Sequence, residues 1–316
     1  MQLKRLKIVQ DSNCSITSLF DRFLLTKQAE GAKTKTLLTY SQHLKAMSYH
    51  LDTSLDILKM NKNKYEQMIA SMVQSRLSPN SIRSYSITLK AFLSWCNDEG
   101  YTNFNIKTYK GVETVKETYT DQELSLLLEK PNMRNTTFAE YRTWVIINLL
   151  VNNGCRASTV RNIKIKDLDI GSKVILLRHQ KNRSIQTIPL CDQLCKVLSE
   201  YLYYREGKPD DYLFPTDEGK QLSEHGLASS IERYNKARGV EKTSVHAFRH
   251  TFSKKFLLDC NGNALMLQKL LNHSSLDMTK LYCKIYDADV VKNFEQYSPL
   301  AQLYNAQKPQ KIKIKR

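Results

Sequence analysis

From residue 13 to residue 102 apolar side chains recur at the spacing of a helix and no strand-like alternation interrupts them. The stretch I-T-S-L-F-D-R-F-L-L (16 to 25) sets the pattern, and similar runs continue to Trp95. A faint internal echo lies at an offset of 45 residues: T-L-L-T-Y-S-Q-H-L-K-A (36 to 46) against S-I-R-S-Y-S-I-T-L-K-A (81 to 91), with Tyr, Ser, Leu, Lys and Ala in register. Two copies do not make a solenoid. They predict two helices that present similar small polar and basic side chains, and Ser78-Pro79-Asn80 marks the entry to the second.

The pattern then breaks. Gly100 to Glu117 mixes polar, aromatic and basic residues without a period and reads as a linker, after which Thr120-Asp121-Gln122-Glu123 offers a capping box for a new helix. Helical spacing returns to about Asn162. The runs 173 to 179 and 183 to 190 are β-prone and flank Gln180-Lys181-Asn182 as a hairpin, with the alternating run 162 to 170 as a third strand. The remainder is helical, and the end carries Lys308, Lys311, Lys313, Lys315 and Arg316 without an acid, as a basic arm would. The expected fold is mainly α with a small β-sheet. The expected divisions are a tail (1–12), a helical domain (13–110), a linker (111–118), a mixed α/β domain (119–297) and a basic tail (298–316).

Composition narrows the partners. A chain of 316 residues with 41% hydrophobic content has room for two cores. Its net charge of +17, from 48 Lys+Arg against 31 Asp+Glu, favours a polyphosphate partner, since basic side chains that displace condensed counterions gain free energy. Because the charge is dispersed, a groove is expected rather than a single charged tail. No membrane span is expected: Trp144 to Val151 is short and interrupted by Asn148. The amino terminus has basic residues but no sustained apolar core, and seven cysteines in a long chain fit a reducing compartment, so a cytoplasmic protein is expected. Cys191 and Cys195 lack a matching second pair, so no zinc site is expected. The absence of G-x-x-x-x-G-K-S/T argues against ATP and the lack of a carboxylate cluster against two-metal cleavage, so no cofactor is expected.

Six residues in the second half supply the parts for cutting and rejoining a phosphodiester without a metal: Arg156, Lys181, His246, Arg249, His273 and Tyr282. Attack on phosphate builds negative charge on the nonbridging oxygens, and arginine meets it with two parallel hydrogen bonds at any working pH. Arg156 follows V-N-N-G-C, where Gly154 can turn the chain so that the arginine points into a cleft. His246 and Arg249 share a helical face in V-H-A-F-R-H, with Arg249 at the edge of the stripe Val245, Phe248, Phe252, Phe256. His250 is expected to lie further from that stripe and to be the more exposed histidine. A lysine on a hairpin turn, Lys181, can protonate a departing oxygen, and a tyrosine can store the bond as a phosphodiester. Each also has an ordinary reading: surface arginine, internal salt bridge, solvated lysine, helix-end histidine, core tyrosine. Tyr286 is a second candidate nucleophile.

Order and spacing together resemble the tyrosine recombinase (phage integrase) family over most of the chain. Arg156 matches the family's arginine after an N/T-G-x approach to a helix, and Lys181 matches a hairpin lysine eight residues before a proline, here Pro189. His246 and Arg249 fit H-x-x-R; Leu271-Asn272-His273 stands where the family has L-G-H, with Asn the next most tolerant residue of a left-handed backbone. The nine-residue offset from His273 selects Tyr282. One departure is Thr159, three residues after Arg156, where the family commonly has an acid. The resemblance implies that His246, Arg249 and Arg156 cradle the phosphate with help from His273. Tyr282 attacks to form a 3′-phosphotyrosyl bond, with His246 as its base, and Lys181 protonates the 5′ oxygen. It implies a helical core-binding domain whose paired helices face the major groove, for which Lys33, Lys35, Lys45, Arg83 and Lys90 are the candidate DNA contacts. It also implies double-stranded DNA with inverted half-sites, a homo-tetramer and a Holliday junction. With helices expected to begin near residue 16, no separate arm-binding domain is expected, which favours a simple Xer-like or transposon integrase type. The rivals are a type IB topoisomerase, which relaxes DNA without pairing sites, and a non-catalytic DNA-binding protein of the same fold.

Overall fold

The computed structural model describes residues 14–112, 117–178, 185–258 and 263–272. The chain divides into two compact units between Thr114 and Val115.

The first unit is helical, as its spacing predicts: α1 (Ile16–Ala29), α2 (Thr34–Met47), α3 (Lys62–Gln74) and α4 (Pro79–Asp98). Three of the four starts are capped by a side-chain oxygen, from Ser15, Asn61 and Ser78, each accepting from an otherwise orphaned N–H. Pro79 takes the first helical position, where its missing N–H costs nothing. The core is aromatic. Phe20, Phe23 and Phe92 meet at centroid distances of 5.0 to 5.8 Å, and Trp95 closes the cluster. The echo has a structural counterpart: a 2.7 Å hydrogen bond joins His43 Nδ1 on α2 to Thr88 Oγ1 on α4, which are equivalent positions in the two copies. The His43 ring also meets Tyr85 edge-on at 4.9 Å. Burial holds His43 below the usual imidazole range, since the half-buried ring resists the charged form.

The stretch after Gly100 is irregular, as expected, but residues 101–112 are packed rather than free. Ile106 is buried in the helical core; Tyr65 donates its hydroxyl hydrogen to Lys107 O (2.9 Å), and Tyr109 N donates to Ser86 Oγ (2.8 Å).

The second unit is built around α6 (Phe138–Asn153), which is buried nearly all round and packs against α5 (Asp121–Leu128), α8 (Asp192–Arg205), α9 (Glu224–Lys236) and α10 (Val245–Leu258). This explains the apolar run from Trp144: it is a core helix, not a span. Among the described residues, no helix is long and apolar enough to cross a membrane. The capping box at Thr120 and Glu123 forms, each side chain meeting the other's backbone. Among the described residues two shorter helices join the unit, α7 (Ala157–Asn162) and α11 (Ala264–Leu271).

The sheet is small and antiparallel, in the order β1 (Leu168–Asp169), β2 (Val174–Arg178), β3 (Ile185–Pro189), with Ile175 opposite Ile188. Its third strand is far shorter than the alternating run 162 to 170 predicts. Residues Ile165–Asp167 instead wind into a 3₁₀ turn, which Asp167 stabilises by accepting from Lys164 N (2.8 Å). The backbone on either side of that turn pairs with the segment around Tyr212: Ile165 N donates to Asp211 O, and Leu213 N to Ile163 O. Strands β2 and β3 are described up to Arg178 and from Ile185, and residues 179–184, with Lys181 among them, lie outside the described residues.

Candidate active site

The site begins at the end of α6. Gly154 adopts a left-handed conformation (φ 59°, ψ 33°) and caps the helix, donating its N–H to Leu150 O at 2.8 Å. A β-carbon there would sit 2.8 Å from Phe252 of α10, so glycine is required by dihedral and by space. The chain then extends through buried Cys155 to Arg156, whose extended backbone (φ −69°, ψ 147°) opens α7. This elbow is what Gly154 promises in the sequence. Burial pushes the Cys155 thiol up to about 12, although Arg249 and Arg156 nearby pull the other way, so it is an inert core side chain.

Arg249 projects from α10, one turn before Phe252, and is only 5% exposed. It is not at a rim but inside. Its guanidinium spans two segments, with Nη1 donating to Gly154 O and Nη2 to Leu271 O, both at 2.9 Å. Arg156 Nη2 donates to the next carbonyl, Asn272 O, at 3.0 Å. Two cations from different helices thus converge on consecutive carbonyls at the end of α11. Those carbonyls are available because Asn272 caps α11 in the left-handed region (φ 49°, ψ 54°), the conformation expected where asparagine replaces glycine. The Asn272 side chain also reaches Gln186 Oε1 on β3 at 3.4 Å.

His246 stands in the first turn of α10 and is exposed. The expectation for its neighbour is reversed: His250 is half-buried, because it lies one turn further into the packed part of α10. His273 and Tyr282, with Tyr286, lie outside the described residues, as does Lys181, so the structure brings together Arg156 and Arg249 of the six. Thr159 sits half-buried on α7.

The supports of α10 were not legible in sequence. Tyr119 stacks on Phe248 with centroids 4.2 Å apart, and its backbone N donates to Thr251 Oγ1 at 2.7 Å. Its hydroxyl accepts from Asn235 Nδ2 (3.0 Å), and burial raises its pKa well above the usual phenol range. An aromatic residue immediately before a capping box is the one available signal, as a hydrophobic residue at that place often staples the chain to its helix. In the helical unit, Lys33, Lys35, Lys45, Arg83 and Lys90 are all exposed.

Comparison with known proteins gives the arrangement its context. Residues 117–289 match the model of the phage integrase family, a span that includes all six candidate residues. The tyrosine recombinase XerC of Thermodesulfovibrio yellowstonii is 24% identical over 279 residues, covering 83% of this chain and 91% of that protein. XerD of Staphylococcus haemolyticus is 23% identical, covering 90% and 99%. Among solved structures, the Tn1549 transposon integrase in complex with transposon right end DNA aligns with a TM-score of 0.72 at 19% identity, covering 90% of this chain and 99% of that one. A lambda integrase tetramer bound to a Holliday junction aligns with a TM-score of 0.68 at 18% identity, over 86% and 78%.

Proposed function

Because this chain belongs to the phage integrase family, we propose that it is a site-specific DNA recombinase that cuts and rejoins double-stranded DNA through a 3′-phosphotyrosyl intermediate. The observation that carries this reading is the convergence of the Arg156 and Arg249 guanidinia on the carbonyls of Asn272 and Leu271. A pair of fixed cations held in a partly dry site is what the developing charge of a pentacoordinate phosphate needs, and holding them beforehand removes the cost of gathering them during the reaction.

In this reading the helical unit is the core-binding domain and the second unit carries the chemistry. Tyr282 attacks the scissile phosphorus and the DNA 3′ end becomes esterified to it; the P–O bond to the 5′ oxygen breaks. Lys181 gives the proton that the 5′ oxygen takes up, and His246 receives the phenolic proton. Arg156, Arg249 and His273 hold the nonbridging oxygens. Rejoining runs these steps in reverse with a 5′ hydroxyl from the partner duplex. Inverted half-sites, four protomers and a Holliday junction complete the proposal, which the family, the recombinase relatives and the alignment with a junction-bound tetramer support.

The test is a nicked suicide duplex carrying sites recovered by binding selection with the full chain. Wild type should form a denaturant-resistant adduct, and peptide mapping should place the DNA on the peptide containing Tyr282. Tyr282→Phe should bind the duplex yet form no adduct, whereas Tyr286→Phe should retain it. Adduct in Tyr282→Phe would move the nucleophile, and its survival in both single variants and their double would remove the tyrosine mechanism.

A further inference from the structure

The two echo helices of the first unit present more than charge. Leu38, Gln42 and Lys45 on α2 occupy positions i, i+4 and i+7, and the residues 45 further on, Arg83, Ile87 and Lys90, repeat that spacing on α4. Each trio therefore lies along one helical face. All six residues are exposed, and Leu38 and Ile87 are 57% and 50% exposed. Gln42 and His43 line a polar groove with Asn80, Ser81, Ser84 and Tyr85, so the α2 trio borders the same groove as the first two turns of α4. Ile87 follows Ser84 by three residues and Asn80 by seven, which puts it on their face.

A single exposed leucine requires no explanation. Two large aliphatic side chains on helix faces otherwise made of lysine, arginine, amides and hydroxyls are different, because a surface that attracts phosphates gains nothing from bare hydrocarbon unless hydrocarbon meets it. The DNA major groove offers one such group, the thymine C5-methyl, next to a hydrogen-bonding edge that asparagine and glutamine read well on the paired adenine. The His43–Thr88 bond, at 2.7 Å between the helices, fixes the spacing of the two faces in advance.

We infer that Leu38 and Ile87 are specificity-determining residues that read thymine methyl groups in the major groove, beside the amides of Gln42 and Asn80. The inference rests on the recombinase reading and adds to it which base pairs the protein selects and how. Lys45, Arg83 and Lys90 supply binding that is indifferent to sequence, and the two aliphatic residues supply discrimination.

Selection of sites from a randomised double-stranded DNA library with the full chain, followed by replacement of individual thymines by uracil, tests this directly, since uracil lacks only the methyl. Selected half-sites should hold at least two preferred thymines. Uracil at either should weaken wild-type binding about 3- to 5-fold, the size expected for one buried methyl-sized group. In Leu38→Ala one of these positions should become indifferent to the change, and in Ile87→Ala the other. Circular dichroism should show both variants folded, because both side chains are on the surface. Selected sites without preferred thymines, equal wild-type binding to thymine and uracil, or sensitivity that survives in both variants would overturn the inference. If the selected duplexes still give the Tyr282 adduct in that case, the recombinase reading stands alone. Failure to retain any DNA would remove both.

Discussion

In the proposed mechanism Arg249 has two jobs that pull in different directions. Buried at the junction of α6, α10 and α11, it satisfies the Gly154 and Leu271 carbonyls and so belongs to the structure. In the proposed mechanism the same guanidinium also holds a nonbridging phosphate oxygen. Lys181 has the opposite character in the proposed mechanism, a group that acts only by giving up a proton. The two are separable by leaving group. Lys181→Ala should slow cleavage of an ordinary phosphodiester but recover most of its rate with a 5′-bridging thiol, which leaves without protonation. Arg249→Ala should lose about 10² to 10³ in rate on both substrates. Arg249→Lys, which keeps the charge, guards against a trivial loss of fold. Single-turnover rates on the two substrates give the answer, and an unrescued Lys181→Ala would assign that lysine to holding DNA.

At the level of elements, what was readable in the sequence was whatever local chemistry decides. The cap at Ser78 with Pro79, the capping box at Thr120 and Glu123, and the left-handed Asn272 are each settled within a few residues, and each is found where the sequence puts it. The run 162 to 170 supplies the third strand only at its end, because the pairing of Ile165 and Leu213 with distant backbone, which draws the rest of it away, is not visible locally. The depth of Arg249 escaped for the same reason: a helical wheel shows the edge of a stripe but not that α11 covers it. The echo was legible as a repeat but not as a contact, and His43 carries a consequence. Its pKa lies below the ordinary value of about 6.5 in the folded chain, so the unfolded chain binds the proton first. Stability of the helical unit should thus be unaffected by this group above pH 6.5 and fall as the pH drops below it. Hydrogen exchange of α2 and α4 amides between pH 7 and pH 5, corrected for intrinsic rates, should show that loss. In His43→Gln the loss should be smaller; an equal loss in both proteins would exclude His43 as its source.

For the whole molecule the governing quantity is the net charge of +17. If six to ten phosphates are neutralised by bound protein, log affinity against log salt should fall with a slope of roughly −5 to −9. A slope near zero, measured by fluorescence anisotropy from low to moderate chloride, would exclude a DNA-binding groove. The choice of salt matters for a reason that lies in one bond. Among the described residues Arg156 is held by a backbone carbonyl, that of Asn272, and not by a carboxylate. A carbonyl orients the guanidinium but does not cancel its charge. If Arg156 holds the scissile phosphate as proposed, the DNA-free site should take up other tetrahedral oxyanions of phosphate's size. Sulfate should compete with the scissile phosphate more strongly than chloride does at equal ionic strength, so an activity assayed in sulfate or phosphate buffer would understate the enzyme.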